Sequence, residues 1–172
     1  MKALAVRHAN DTELPIPGAD PWHVEPNDPA LSVMTDFRSH PSITVSQSAP
    51  IDAALEHMRH TGVRCAFAID EGRRTVVGLV TAFDIMGELP MRQMQAASMA
   101  RSDVLVWHLM RRTADWTFLR FEDVTGATVI EIARLFEELG LTHLPVMGTD
   151  EHGARCLRGL LSASKVRRLL RR

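Results

Sequence analysis

Apolar and polar residues along this chain follow two periods, and the order of those periods occurs twice. Ser42-Ile43-Thr44-Val45 alternates with period two and is β-branched, which predicts a short strand. Pro50 opens a helix, because its missing N–H has no intrahelical partner in a first turn. Ile51, Ala54, Leu55 and Met58 then fall at i, i+3, i+4 and i+7, one apolar helix face. Gly62 marks its C-terminal cap. Arg64 to Ile69 and Val76 to Val80 read as strands around an Asp70-Glu71-Gly72 turn. Thr81 starts a second helix, running through Ile85 to about Leu89. The predicted order is β-α-β-β-α.

The order recurs. Trp116 to Phe121 reads as a strand, and Val129, Ile132, Ala133 and Phe136 repeat the helical face, capped by Gly140. Leu141 to Met147 and Leu157 to Leu161 are strands around a turn at Thr149 to Gly153, and Ser162 opens a final helix. The offset between halves grows from 76 (Met34 to Met110) through 78 (Gly62 to Gly140) to 81 (Gly78 to Gly159), as small loop differences would produce. Each half ends in one strand-to-helix turn, Gly-Leu-Val-Thr at 78–81 and Gly-Leu-Leu-Ser at 159–162. The chain divides into an arm over 1–29, a first repeat over 30–90, a helical connector over 91–102 and a second repeat over 103–172. Prolines in the arm block helix and ladder formation. Leu14, Ile16 and Trp22 there either pack onto the body or belong to a loose tail. Met91, Met94 and Met99 in the connector fill core or form an adaptable contact surface.

Composition narrows the classes. Apolar residues make up 45% and aromatics 5%, which predicts an aliphatic core. A formal net charge of -1 argues against a general nucleic-acid binder. Two cysteines, Cys65 and Cys156, are too few for a disulfide framework and suit reduced core thiols of a cytoplasmic protein. The sequence shows no signal peptide and no membrane-spanning apolar run. His57 and His60, at i and i+3, lack a third metal ligand nearby. No catalytic nucleophile motif occurs. The cations Lys165, Arg167, Arg168, Arg171 and Arg172 either dock an acidic surface or complement a helix dipole.

The most informative segment is Gly78-Leu79-Val80-Thr81-Ala82-Phe83-Asp84-Ile85. A helix start beside a Thr hydroxyl suits a phosphate or ribose oxygen, and an Asp carboxylate accepts two hydrogen bonds from a ribose diol. The same Ser/Thr-x-x-Asp/Glu spacing also simply caps a helix.

Tandem β-α-β-β-α repeats, each ending in Gly-h-h-Thr/Ser with h hydrophobic, resemble paired CBS domains, of the stand-alone bacterial type. Val33-Met34-Thr35, Leu109-Met110, Pro50 to Leu55 and Thr142-His143-Leu144-Pro145-Val146 add to the resemblance, which covers about 30–172. It implies an α/β (α+β) fold in which two repeats pack into one pseudo-twofold module with two clefts. It further implies an adenosine-type ligand (AMP, ADP or ATP before S-adenosylmethionine or NAD), a homodimer and an effector protein. Carried over by position, a first site comprises Ile43, Arg64, Cys65, Ala66, Thr81 and Asp84. Arg64 either reaches a phosphate or lies on a solvated edge. A possible second site comprises His143, Leu144, Pro145, Ser162 and Lys165. The second repeat departs from the family's pattern, because Lys165 stands where an Asp is common and a lysine offers donors only. Lys165 either binds an anion or is a solvated surface residue. The sequence thus supports a nucleotide-sensing regulatory module, or else a non-catalytic interaction scaffold with degenerate clefts; catalysis has no candidate residues.

Overall fold

The computed structural model describes residues 23–170. Leu14, Ile16 and Trp22 lie outside these residues. Strand β1 (Thr35–Asp36) precedes β2 (Thr44–Ser46), α1 (Ile51–His60), β3 (Cys65–Asp70), β4 (Thr75–Thr81), α2 (Ala82–Met86) and α3 (Leu89–Ala97). There follow α4 (Val106–Leu109), β5 (Arg111–Arg112), β6 (Leu119–Arg120), α5 (Phe121–Gly126), α6 (Val129–Leu139), β7 (His143–Thr149), β8 (Arg155–Ser162) and α7 (Ala163–Leu169).

The apolar faces read from the sequence are the buried ones. Ile51, Ala54, Leu55 and Met58 point into one core, and Val129, Ile132 and Phe136 into another. Helix α6 ends at Gly140 with φ +62°, and Gly62 follows α1 with φ +71°, the left-handed backbone that favours glycine. Two predicted bounds move. The helix opened by Thr81 stops at Met86, and α3 starts afresh with Pro90 in its first turn. Of Trp116 to Phe121, only Leu119 and Arg120 form a strand. Phe121 begins α5, where Glu122 and Asp123 suit the positive end of a helix and Asp123 pairs with Arg120.

Two four-stranded sheets result, in the orders β2-β3-β4-β5 and β6-β7-β8-β1. Within each, the first two named strands are parallel, joined through α1 or α6, and the rest antiparallel. Both long hairpins carry a register irregularity at matching places, between Ala68 and Ile69 and between Val146 and Met147. The fourth strand of each sheet comes from the segment ahead of the other repeat. Strand β5 pairs Gly78 with Arg112 and Leu79 with Arg111, while β1 pairs Gly159 with Asp36 and Leu160 with Thr35.

Packing follows the same exchange. Val24, Ala30, Val33 and Met34 are buried among Val129, Leu144 and Leu161 of the second half, and Val104, Val106 and Leu109 among Ile51, Ala66 and Val80 of the first. These two cores are mainly aliphatic. Aromatic residues gather instead where the sheets meet. Phe67 packs edge-on against Phe37 with ring centroids 5.5 Å apart, and against Trp116 at 5.9 Å. Cys65 is buried there, whereas Cys156 is only half-buried, so one of the two expected core thiols is not fully inside. The connector methionines divide: Met94 and Met99 pack on the first core, and Met91 is exposed.

The repeated glycine has a steric cause. A Cβ on Gly78 would stand 2.6 Å from Met110 Sδ and 2.9 Å from the Arg111 carbonyl oxygen; one on Gly159 would stand 2.7 Å from the Thr35 carbonyl oxygen. Each glycine lets an exchanged strand lie against its hairpin. Gly78→Ala should therefore lower stability by about 1–3 kcal/mol, as overpacking does. Gly126→Ala, where a Cβ meets nothing within 4 Å, should be near neutral. Urea unfolding of both variants checks the contrast.

Candidate functional site

Thr81 sits at the junction of β4 and α2. Its hydroxyl accepts the Asp84 backbone N–H at 3.1 Å and donates to Asp84 Oδ2 at 2.7 Å, and its own N–H donates to the same oxygen at 2.9 Å. This is a complete capping box. The hydroxyl proton is thereby committed to Asp84, and the Thr81 side chain serves to aim the carboxylate. Asp84 is half-buried, and Oδ1 lies outside these bonds.

Around that carboxylate the structure gathers residues of both halves. A cleft of about 340 Å³ is lined by Thr81 and Asp84, by Met110 and Arg111 of the exchanged strand, and by Thr142 and His143 at the start of β7. A second cleft, of about 390 Å³, is lined by Ser162 and Lys165 of the second half, Thr35 of its exchanged strand, and Ile43, Arg64 and Cys65 of the first half. Each cleft thus mixes residues from both sequence-based groups. Asp84 shares its cleft with His143, while Thr81 also meets Arg64 along a central groove; Ser162 and Lys165 meet His143 together with Ile43, Arg64 and Cys65. Ala66 and Leu144 are fully buried in the two cores, and Pro145 is buried on β7. Arg111, Thr142, Thr35 and Arg168 complete the clefts and were absent from both predicted sites. The duplication signals their pairing only indirectly, through the matched methionines Met34 and Met110 ahead of each repeat.

The halves differ where their helices start. Ser162 makes no cap bond; its hydroxyl shares a 2.9 Å hydrogen bond with Ser164. Lys165 is half-buried and not the solvated alternative: Nζ donates to the Met34 carbonyl at 3.2 Å and to Thr35 Oγ1 at 3.4 Å. Burial, and then the charge of Arg168, holds Lys165 below its ordinary value. Burial pushes the Cys65 thiol up to about 12, with Asp84 adding to it, which keeps it protonated. His143 lines both clefts. Burial pushes its imidazole down to about 4, against the pull of Asp84 and with the help of Arg111.

The fold and these paired clefts match a known family. Its CBS domain signature matches residues 30–90 and 125–172, nearly two thirds of the sequence. The chain belongs to the CBS domain family. Among solved CBS structures, CBSX2 in complex with AMP is 25% identical, with 82% of this chain and 94% of that one covered at a TM-score of 0.56. CBSX2 from Arabidopsis thaliana is 24% identical, covering 83% and 93% at 0.53. A conserved protein from Pyrococcus horikoshii shares the fold at 20% identity, covering 83% and 92% at 0.57. No curated protein matches the chain in sequence. No helix among the described residues is long and apolar enough to cross a membrane, and no group of three or more His, Cys, Asp or Glu there is placed to hold a metal.

His143 gives the CBS module a pH dependence of known sign. The unfolded chain takes up this proton near 6.5 and the folded one only near 4, so protonation favours unfolding. Thermal stability should fall as pH drops from about 6.5 to about 4, with no His143 contribution above that window. His143→Gln should flatten this part of the profile, as read by melting temperature against pH.

Proposed function

We propose that this CBS pair is a regulatory module that binds an adenosine nucleotide of the AMP, ADP or ATP class in the cleft around Asp84. The observation that carries this reading is that Asp84 and Arg111 line one cleft. A carboxylate already oriented by its capping box accepts from a ribose diol, and a guanidinium from the exchanged strand suits a phosphate. The AMP complex of CBSX2 supports the ligand class. His143 stays neutral at physiological pH and supplies a polar ring without adding charge.

Because the cleft is walled by both halves, ligand binding biases the angle between them. That bias signals to an effector protein only through different affinities for the two arrangements. Phe83 and Met86 of α2 are 78% and 60% exposed, and a central groove of about 520 Å³ beside them reaches Arg59, Ser164 and Arg167. Apolar side chains this exposed fit a homodimer contact.

Titration calorimetry separates the roles. Asp84→Ala should weaken both AMP and adenosine by about tenfold or more, and Arg111→Ala should weaken AMP by about tenfold with little effect on adenosine. Asp84→Ala should also lose about 1 kcal/mol of stability with its helix cap. Absence of binding by AMP, ADP and ATP to the unaltered protein at millimolar concentration would contradict the proposal.

A further inference from the structure

The second cleft carries charge of one sign. Arg64 comes to it from the first half, Lys165 and Arg168 from α7, and no carboxylate lines it among the described residues. Asp36, one residue beyond the cleft-lining Thr35, is engaged elsewhere, in an ion pair with buried Arg158. Lys165 is therefore a half-buried ammonium beside another cation, with carbonyl and hydroxyl partners but no counter-charge. Such an ammonium costs free energy that an anion offsets. Two of its three protons are used by Met34 and Thr35, which fixes its position and leaves one for a guest. Ser162 and Ser164 share a single hydrogen bond, so one hydroxyl proton of the pair is also free to be donated.

The same residues turn away a nucleoside. In the cleft of the first turn an acid is aimed by Thr81; here the matching position is a lysine, which cannot accept from a ribose diol. Phe37, Pro41 and Ile43 close the far wall with apolar surface and supply no acceptor side chain in its place.

We propose that the second cleft is a site for a phosphate-class anion, held by Lys165, Arg64 and Arg168 and independent of any ribose. Arg64 belongs to one half and Lys165 to the other, so the anion ties the halves together across the pseudo-twofold axis. His143 lines this cleft and the first alike, which places one side chain in contact range of both occupants.

Inorganic pyrophosphate is the probe, titrated by calorimetry at low salt into the full chain and its variants. The unaltered protein should bind it, and Asp84→Ala, which removes a nearby negative charge, should bind it no more weakly. Lys165→Met, which keeps side-chain volume, should weaken it by about tenfold or more, and Arg168→Ala, at an exposed position, by several-fold. Saturating AMP should leave the pyrophosphate site open. The proposal is overturned by absence of pyrophosphate binding at millimolar concentration, by equal affinity in Lys165→Met, or by displacement with AMP. The last result would put the anion in the Asp84 cleft. Melting curves confirm that each variant is folded, and the Lys165 and Arg168 comparisons stand whether or not AMP binds at all.

Discussion

Two backbones come too close for a side chain at Gly78 and again at Gly159, and the module is organised around those approaches. Sulfur and carbonyl atoms of Met110 and Arg111 occupy the space beside Gly78, and those of Met34 and Thr35 the space beside Gly159. Each half thus completes its sheet with a strand lying ahead of the other half in sequence. The exchange buries Val24 to Met34 on the second core and Val104 to Leu109 on the first. Separation of the halves would expose apolar surface on both sides at once, so they hold together through their cores as well as through the Phe37, Phe67 and Trp116 contacts between the sheets.

Composite clefts follow from that exchange. A helix start from one half, the exchanged strand beside it and a strand start from the opposite half converge twice, related by pseudo-symmetry. Chemistry then departs from the symmetry. Asp84 closes a capping box in a cleft that Arg111 also lines; Lys165 reaches back to Met34 in a cleft shared with Arg64 and Arg168. One fold therefore offers two environments of different charge, separated by little more than His143.

Much of this was legible in the residues. Helix faces at Ile51 to Met58 and Val129 to Phe136, the glycine caps and the hairpins all rest on local periodicity and backbone preference, which a sequence displays directly. The Thr81 to Asp84 turn was legible as well, with ribose binding and helix capping as rival readings; the structure shows the cap and leaves one carboxylate oxygen outside it. Long-range pairing was not legible. Reading each site from its own repeat kept Asp84 and His143 apart, whereas both line one cleft. Local signals also failed where they were weak: Trp116 to Phe121 is β-like in composition, yet Asp123 and Glu122 start a helix inside it. Lys165 reads as a surface residue in isolation, because nothing nearby in sequence announces the Met34 carbonyl as its partner.

The central claim is that each cleft is built from both halves of the chain. Backbone amide shifts in a two-dimensional NMR spectrum, followed during AMP titration, test it most directly. The account predicts shifts at Asp84 and Thr81 together with Arg111, Thr142 and His143, and small shifts at Ile43. Perturbation of Asp84 and Ile43 together, with Arg111, Thr142 and His143 unmoved, would contradict it.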